Sequence, residues 1–493
     1  MKFLKDTIYN YASKLYIGLA SVLLIPFFFR ILGSDAYGIV GYFSVILIWL
    51  QILDMGLSNT LNRQTAIFSA RGYSKESYLS VVNKVRFFYF LVAVLFLIIA
   101  AFNLDYIANE IIDSKIPKPD LYLYIYLMIF SISFRWLVMP FRSILIGFEK
   151  HKSIAKLDVM SETIKSPLCL LLVYIFPDKL LVFFICQTLS SLSLLISFYA
   201  LSRRAIDNQE SSSINVLSLK EFISFASRIF SVSFAWLVTS QSDKLFLSNQ
   251  LSAQEYGLLT VLFQLASIIM FLSSPFSVAL LPRLVRVAKE EGGEKLETFY
   301  RKSYKFSSLF LLIPVLIFFF FSKELIVLWT GVEGNIDNSV IVFRLYLLGN
   351  YIFALSSFSY YIQYAFGDIS RHSKVSILAS IVMLPIYYIS SVFFGAFGTG
   401  IVWLFYNLIM LFIWGVYIHN TILSKNYTIE HYCFLFKILS IFLIGISLKT
   451  IFPSMEVVSY VLLSILYLSI SIIFIIIFDR DFKQELFKLR SKL

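Results

Sequence analysis

"RILGSDAYGIVG" (residues 30–41) joins the end of one apolar run to the start of the next, and "LSNQLSAQEYGLLTV" (247–261) does the same more than two hundred residues later. Aligned, LGSDAYG (32–38) lies over LSAQEYG (251–257) at an offset of 219. Upstream, YASKLY (11–16) lies over FASRIF (225–230) at an offset of 214. Downstream, IGFEKHK (146–152) corresponds to FGDISRHSK (366–374), with Gly147 over Gly367. A match kept at three separated places indicates one unit used twice.

The medium of that unit can be read from composition. Of 493 residues, 59% are hydrophobic and only 15% charged, against about 25% charged in soluble globular proteins. Mean hydropathy is +0.80. With 51 Phe and 30 Tyr, the chain carries more rings than one aqueous core accommodates. The bilayer is the natural solvent. A spanning helix needs about 20 mostly apolar residues. That rule predicts about fourteen spans: 7–32, 37–60, 85–104, 121–147, 157–177, 180–201, 221–248, 256–281, 305–328, 339–365, 374–396, 399–423, 432–452 and 456–478. The first comes after a basic MKFLK opening, yet it exceeds a signal-peptide core and SVLLIPFFFR offers no small-residue cleavage site, so it reads as a retained helix.

Basic residues orient the spans. With residues near span edges counted in the connection they adjoin, alternate connections and the two ends hold about 29 of the 42 Lys and Arg, the opposite connections hold Lys115, Lys118, Lys179, Lys323 and Lys449, and eight lie deeper inside spans. The positive-inside rule then places both termini in the cytoplasm. The net charge of +12 is therefore a topology signal rather than a nucleic-acid footprint. Six spans per half is an even number, so both halves start on the same side as parallel repeats about an axis along the membrane normal. The expected organisation is an N-lobe (1–201), a hydrophilic cytoplasmic linker (202–220), a C-lobe (221–424) and an appended helix pair with a tail (425–493). Two lobes around a central cavity are the architecture of alternating access, which points to a transporter.

Ionisable groups inside spans are costly and usually face a bundle interior or a wet cavity. The repeat puts Lys14 and Arg228 at equivalent positions. Asn10, Lys14 and Ser21 share a face, as do Ser224, Arg228, Ser231, Thr239 and Ser242. Arg135 and Arg142 lie seven apart on the fourth span, and Arg30, Lys244 and Arg344 complete the basic set. Such a cavity attracts anions, and Arg suits bidentate contact with phosphate. Two plainer readings stand beside this: Arg30 and Arg142 near helix ends snorkel to headgroups, and Lys244 pairs locally with Asp243. The acids are Asp54, Asp158, Glu162 and Asp243. Asp158, Glu162 and Lys165 recur at i, i+4 and i+7, which suits an internal charge network. The alternative for them, and for Asp54 with Gln51 and Ser58 on its face, is a carboxylate carrying a coupling proton or cation.

Other chemistries leave no trace. Cys169, Cys186 and Cys433 have unrelated spacings, and the four His are scattered, so neither a disulfide framework nor a metal site is expected. No phosphate-binding loop occurs and no cofactor is implied. Outer connections are short, which disfavours a membrane glycan polymerase or transferase, and the expectation is a transporter rather than an enzyme.

Three motifs carry a resemblance. Asn10 and Lys14 precede PFFFRILGSDAYG; DMGLSNTLNR (54–63) is next; FFGAFGTGIVW (393–403) comes late. In this order they resemble the Wzx-type polysaccharide exporters and O-antigen flippases, in the superfamily that also holds MATE drug exporters and lipid II flippases. The resemblance covers most of the chain through residue 424. It implies translocation of an undecaprenyl-diphosphate-linked oligosaccharide from the inner to the outer leaflet of a bacterial inner membrane. It also implies membrane lipid, a polysaccharide polymerase and a chain-length regulator as partners, and no nucleic acid. The family's cationic cavity maps onto Lys14, Arg135 and Arg228, with Arg142 and Arg344 as further anion-binding candidates. Asp54, Asp158, Glu162 and Asp243 are the ion-coupling candidates. A MATE-like cation-coupled drug exporter is the alternative, disfavoured by the basic cavity and the extra helix pair.

Overall fold

The computed structural model describes residues 13–451, apart from 15, 22, 55, 70–72, 113–115, 210–215, 291–292, 333–335 and 367–369. Among the described residues helices are the only regular structure. They are α1 (Tyr16–Leu32), α2 (Ser34–Leu50), α3 (Leu57–Ser69), α4 (Lys75–Phe102), α5 (Lys118–Gly147), α6 (His151–Thr163), α7 (Cys169–Ile175), α8 (Lys179–Asp207) and α9 (Leu219–Ser248). Next come α10 (Ala253–Ala266), α11 (Ile268–Glu290), α12 (Gly293–Phe320), α13 (Ser322–Thr330), α14 (Asp337–Ala365), α15 (Ser370–Ile409), α16 (Gly415–Ile422) and α17 (Lys425–Ile451).

Among the described residues, seven runs are long and apolar enough to cross a membrane: α4, α5, α8, Ala253–Ser274, Glu294–Phe320, α14 and Ser370–Ile422. The chain is an all-helical, multi-pass membrane protein. The difference from fourteen has identifiable sources. The expected spans 374–396 and 399–423 lie in one 53-residue run, which bends at Gly395 (φ 55°, ψ −143°), a conformation suited to glycine. The seventh expected span is α9, whose Lys220, Glu221, Arg228, Asp243 and Lys244 dilute its apolarity. The expected span 456–478 lies outside the described residues.

Several apolar runs also conceal breaks. The expected span 37–60 divides: α2 stops at Leu50, Gln51–Asp54 form a tighter turn, and α3 starts at Leu57. The expected 305–328 divides too, because α12 ends at Phe320 and α13 begins at Ser322. Across 157–177 the chain stays helical, but Ile164–Leu168 form a wide π-turn around Pro167.

The helices form two compact units, 1–264 with 328–331 and 373–399, and 265–327 with 332–372 and 400–493. In the first, α5 packs along α8, α3 and α4, over a core of Val138, Leu145, Ile154 and Phe198. Phe68 stacks on Tyr78 at 4.1 Å, and the Trp136 indole donates to the Tyr89 carbonyl at 2.9 Å. The outward face of α4 leaves Phe87, Phe90, Leu95, Ile99 and Phe102 exposed. A contiguous apolar face on a helix whose backbone is internally bonded belongs in lipid. In the second unit α11 and α12 pack on α14, and α17 packs on α12 and α16. Here His419 and His431 stand 4.7 Å apart, hydrogen-bonded at 3.0 Å to Tyr300 and Tyr427 respectively.

The two stretches that read alike meet within the first unit. A Cβ on Gly38 would fall on the carbonyl of Ala253, and a Cβ on Gly257 on the carbonyl of Ser34. Ser34/Ala253 and Gly38/Gly257 are both pairs at the offset of 219, so equivalent positions exchange equivalent contacts. Tyr42 stacks on Tyr256 at 5.0 Å, and Tyr37 donates to Gln264 at 2.8 Å.

Candidate functional site: a charged cluster among the helices of the first unit

Arg135 and Arg142 sit two turns apart on α5, facing α6 and α8. The Arg135 guanidinium donates from Nε to Ser191 at 3.0 Å and from Nη2 to Gln187 at 2.7 Å, and lies 5.7 Å from the Phe43 ring. Gln187 in turn donates to the Lys165 carbonyl at 3.4 Å. Ser131 and Ser191 are hydrogen-bonded at 3.0 Å. Arg142 makes a two-pronged pair with Asp158, at 2.7 and 2.6 Å. Arg142 is thus held by a carboxylate on α6 rather than only reaching for headgroups.

Glu162, 2% exposed, is the centre of the cluster. It accepts from Lys165 at 2.8 Å and from Ser166 at 2.6 Å, and its charge acts on Arg135 as well. Asp158 and Arg135 both lie within electrostatic reach of Lys165. Three cations (Arg135, Arg142, Lys165) against two carboxylates (Asp158, Glu162) leave a net charge of +1, enclosed around Glu162 and partly exposed at Arg142. Around Glu162 Coulombic interactions are poorly screened, so that part of the cluster favours an anion over a cation. Helix α1 borders it, because Tyr16 is hydrogen-bonded to Thr163 at 2.8 Å.

Asp54 stands apart. It is buried, and its carboxylate accepts from the Ser58 hydroxyl at 2.6 Å, from the Ser58 amide at 3.2 Å, and from the Tyr89 hydroxyl. Among the described residues its partners are hydroxyls and a backbone amide rather than a cation. The same contacts cap the first turn of α3, which explains why the chain breaks there.

The remaining predicted residues fall elsewhere. Lys14 lies in helical backbone just before α1 and is exposed. Arg228 lies on α9, and its side chain is outside the described residues, as is that of Ser231. Arg344, in the second unit, donates to the Phe319 carbonyl at 3.0 Å and to Ser322 at 2.8 Å, capping the end of α12. Arg30 likewise donates to the Leu328 carbonyl at the end of α13. Asp243 is buried on α9. Its neighbour Lys244 donates to the Ser240 carbonyl at 3.2 Å and to Gln241 at 2.9 Å. Sequence reasoning did not single out Gln187, Ser191 or Ser131, neutral residues whose only signal is a polar position within apolar runs. No group of three metal-ligating side chains occurs among the described residues.

The fold has relatives among solved structures. The chain is similar to the lipid II flippase MurJ in an inward closed conformation, with a TM-score of 0.69 and 15% identity, covering 96% of this chain and 99% of that one. It is similar to an inward-facing MATE multidrug-resistance transporter of the MOP superfamily, at TM-score 0.61 and 14% identity, covering 84% and 98%. A MOP superfamily transporter from Pyrococcus furiosus, described as having a binding pocket of reverse polarity, matches at TM-score 0.51 and 14% identity, covering 85% and 96%. No curated protein matches in sequence. The architecture is therefore that of the MOP transporters. The family model for polysaccharide biosynthesis proteins matches residues 3–288, more than half of the sequence. The chain belongs to the polysaccharide biosynthesis protein family.

Proposed function

We propose that the protein is a flippase for an undecaprenyl-diphosphate-linked oligosaccharide, carrying it from the cytoplasmic to the outer leaflet of a bacterial inner membrane by alternating access. The observation that carries this reading is the excess of cations in the Arg135–Glu162–Lys165–Arg142–Asp158 cluster, within a fold of the MOP type and a chain of the polysaccharide biosynthesis family. A net positive, poorly screened site suits a diphosphate or an acidic sugar and repels the organic cations that a drug exporter takes. Lys14 and Arg228, equivalent in the repeat, supply matching contacts from the two six-span lobes (1–201 and 221–424), with both termini cytoplasmic. Polymerase and chain-length regulator act after the flip. Asp54 is the carboxylate offered for ion coupling, since Asp158 and Glu162 already neutralise fixed cations.

The test is a deletion strain. Its lipid extract should accumulate undecaprenyl diphosphate bearing the complete repeat unit, held in the inner leaflet, while surface polysaccharide is lost. Intact surface polymer with no accumulated intermediate would overturn the proposal, and new sensitivity to cationic dyes would replace it with drug export.

A further inference from the structure

A second feature of the first unit is lined by none of the residues of the charged cluster. Helices α4, α5 and α8 enclose a pocket of about 400 Å³, within the usual size of ligand sites. Its walls are apolar: Leu137, Pro140 and Phe141 from α5, with Leu195 and Ile196 from α8. Its rim carries Phe90, Ile196 and Tyr199, all exposed, so it opens on the outer surface of the helix bundle. One charge stands in it. The Arg86 guanidinium lies 5.1 Å from the Phe141 ring, and its Nε and Nη2 are enclosed with no hydrogen-bond acceptor among the described residues. Among the described residues, the ionisable groups found to act on it are the phenols of Tyr78 and Tyr199, neither of them an acid at neutral pH.

An apolar pocket with an unneutralised guanidinium is an unfinished site. A buried cation without an anionic partner is costly, and a planar guanidinium is suited to a phosphate oxygen pair. Depth agrees with this chemistry. Arg86 opens the third expected span and Tyr199 closes the sixth, both at their cytoplasmic ends, where phospholipid headgroups sit. Tyr199 packs edge-on against Phe141 at 5.4 Å and stands ready as a second donor. The exposed apolar face of α4 leads to the rim from the lipid side.

We propose that this pocket binds an anionic phospholipid of the cytoplasmic leaflet, with its phosphate on Arg86 and Tyr199 and one acyl chain along Leu137, Phe141, Leu195 and Ile196. The bound lipid completes the α4–α5–α8 packing. It is a site distinct from the substrate-translocating cluster.

The experiment is native mass spectrometry of the delipidated full chain in mild detergent, titrated with phosphatidylglycerol, phosphatidylcholine and undecaprenyl monophosphate. Phosphatidylglycerol should bind about tenfold more tightly than phosphatidylcholine, whose choline cation already neutralises its phosphate and repels the guanidinium. Arg86→Gln should abolish that preference, weakening phosphatidylglycerol far more than phosphatidylcholine. Ile196→Trp, which fills the pocket and keeps the charge, should weaken phosphatidylglycerol at least severalfold and serves as the test if Arg86→Gln does not fold. Equal binding of the two phospholipids, or phosphatidylglycerol binding untouched by Ile196→Trp, overturns the proposal. Stronger, Arg86-dependent binding of undecaprenyl monophosphate overturns the phospholipid as occupant and assigns the pocket to the prenyl carrier.

Discussion

At the scale of single residues, the carboxylates separate by what they already neutralise. Glu162 is buried between Lys165 and Arg135, so Glu162→Gln leaves fixed charge in a dry setting. The expected loss of stability is about 3 kcal/mol, toward the low end for a broken buried pair because Lys165 is partly exposed. Asp158→Asn should cost about 1 kcal/mol, because Arg142 is 41% exposed and water screens it. Thermal unfolding in detergent measures both, and equal losses would contradict the burial argument. Asp54→Asn is a different case. An amide oxygen still accepts from Ser58 and Tyr89, so stability should change by less than about 1 kcal/mol. Under the proposed ion coupling, flipping in proteoliposomes should slow and lose its response to an imposed proton or sodium gradient. Undiminished gradient response in Asp54→Asn would remove this residue from the coupling role.

At the scale of helices, the crossing of α2 and α10 depends on the absence of two side chains. Gly38 meets the backbone of Ala253, and Gly257 that of Ser34, so any Cβ must push the helices apart. Gly38→Leu and Gly257→Leu should each destabilise by about 1–3 kcal/mol, as overpacking does. Because both break one contact, the double variant should lose clearly less than the sum of the two, read from the same unfolding curves. Full additivity would mean that the two glycines serve separate contacts. This crossing also marks how much of the molecule was legible in the sequence. Repetition of LGSDAYG and LSAQEYG was visible, and so were the helical class and the charges at 158, 162 and 165. Helix ends inside apolar runs were not visible, because hydropathy is blind to a break such as that between Phe320 and Ser322. Arg344 therefore read as an intramembrane charge, although it caps that break. The π-turn at 164–168 likewise shifts helical phase, so a stripe extended at 3.6 residues per turn misplaces the residues beyond Leu168. The neutral partners of Arg135 come from another helix, which no periodicity within one span reports.

At the scale of the whole molecule, the charge of the proposed cargo makes transport a question of membrane potential. A diphosphate carries about two negative charges, and each is worth about 2.3 kcal/mol per 100 mV, so outward movement from a negative interior gains about 4–5 kcal/mol. The ratio of substrate in the two leaflets should then change roughly tenfold for every 30 mV of an imposed potassium diffusion potential. Exchange for an entering proton or sodium ion would steepen that slope, and co-export of cations would flatten it. The slope is thermodynamic, whereas the cationic cluster acts only on the path between the leaflets. Arg135→Gln should accordingly slow the approach to steady state by about tenfold or more, the loss expected for a charge-assisted contact, while leaving the final leaflet ratio unchanged. Proteoliposomes with a leaflet-selective reagent for the sugar give both quantities in one time course. A ratio that ignores the potential would mean that cation co-export neutralises the diphosphate. An unaltered rate in Arg135→Gln would place the substrate's path elsewhere in the molecule.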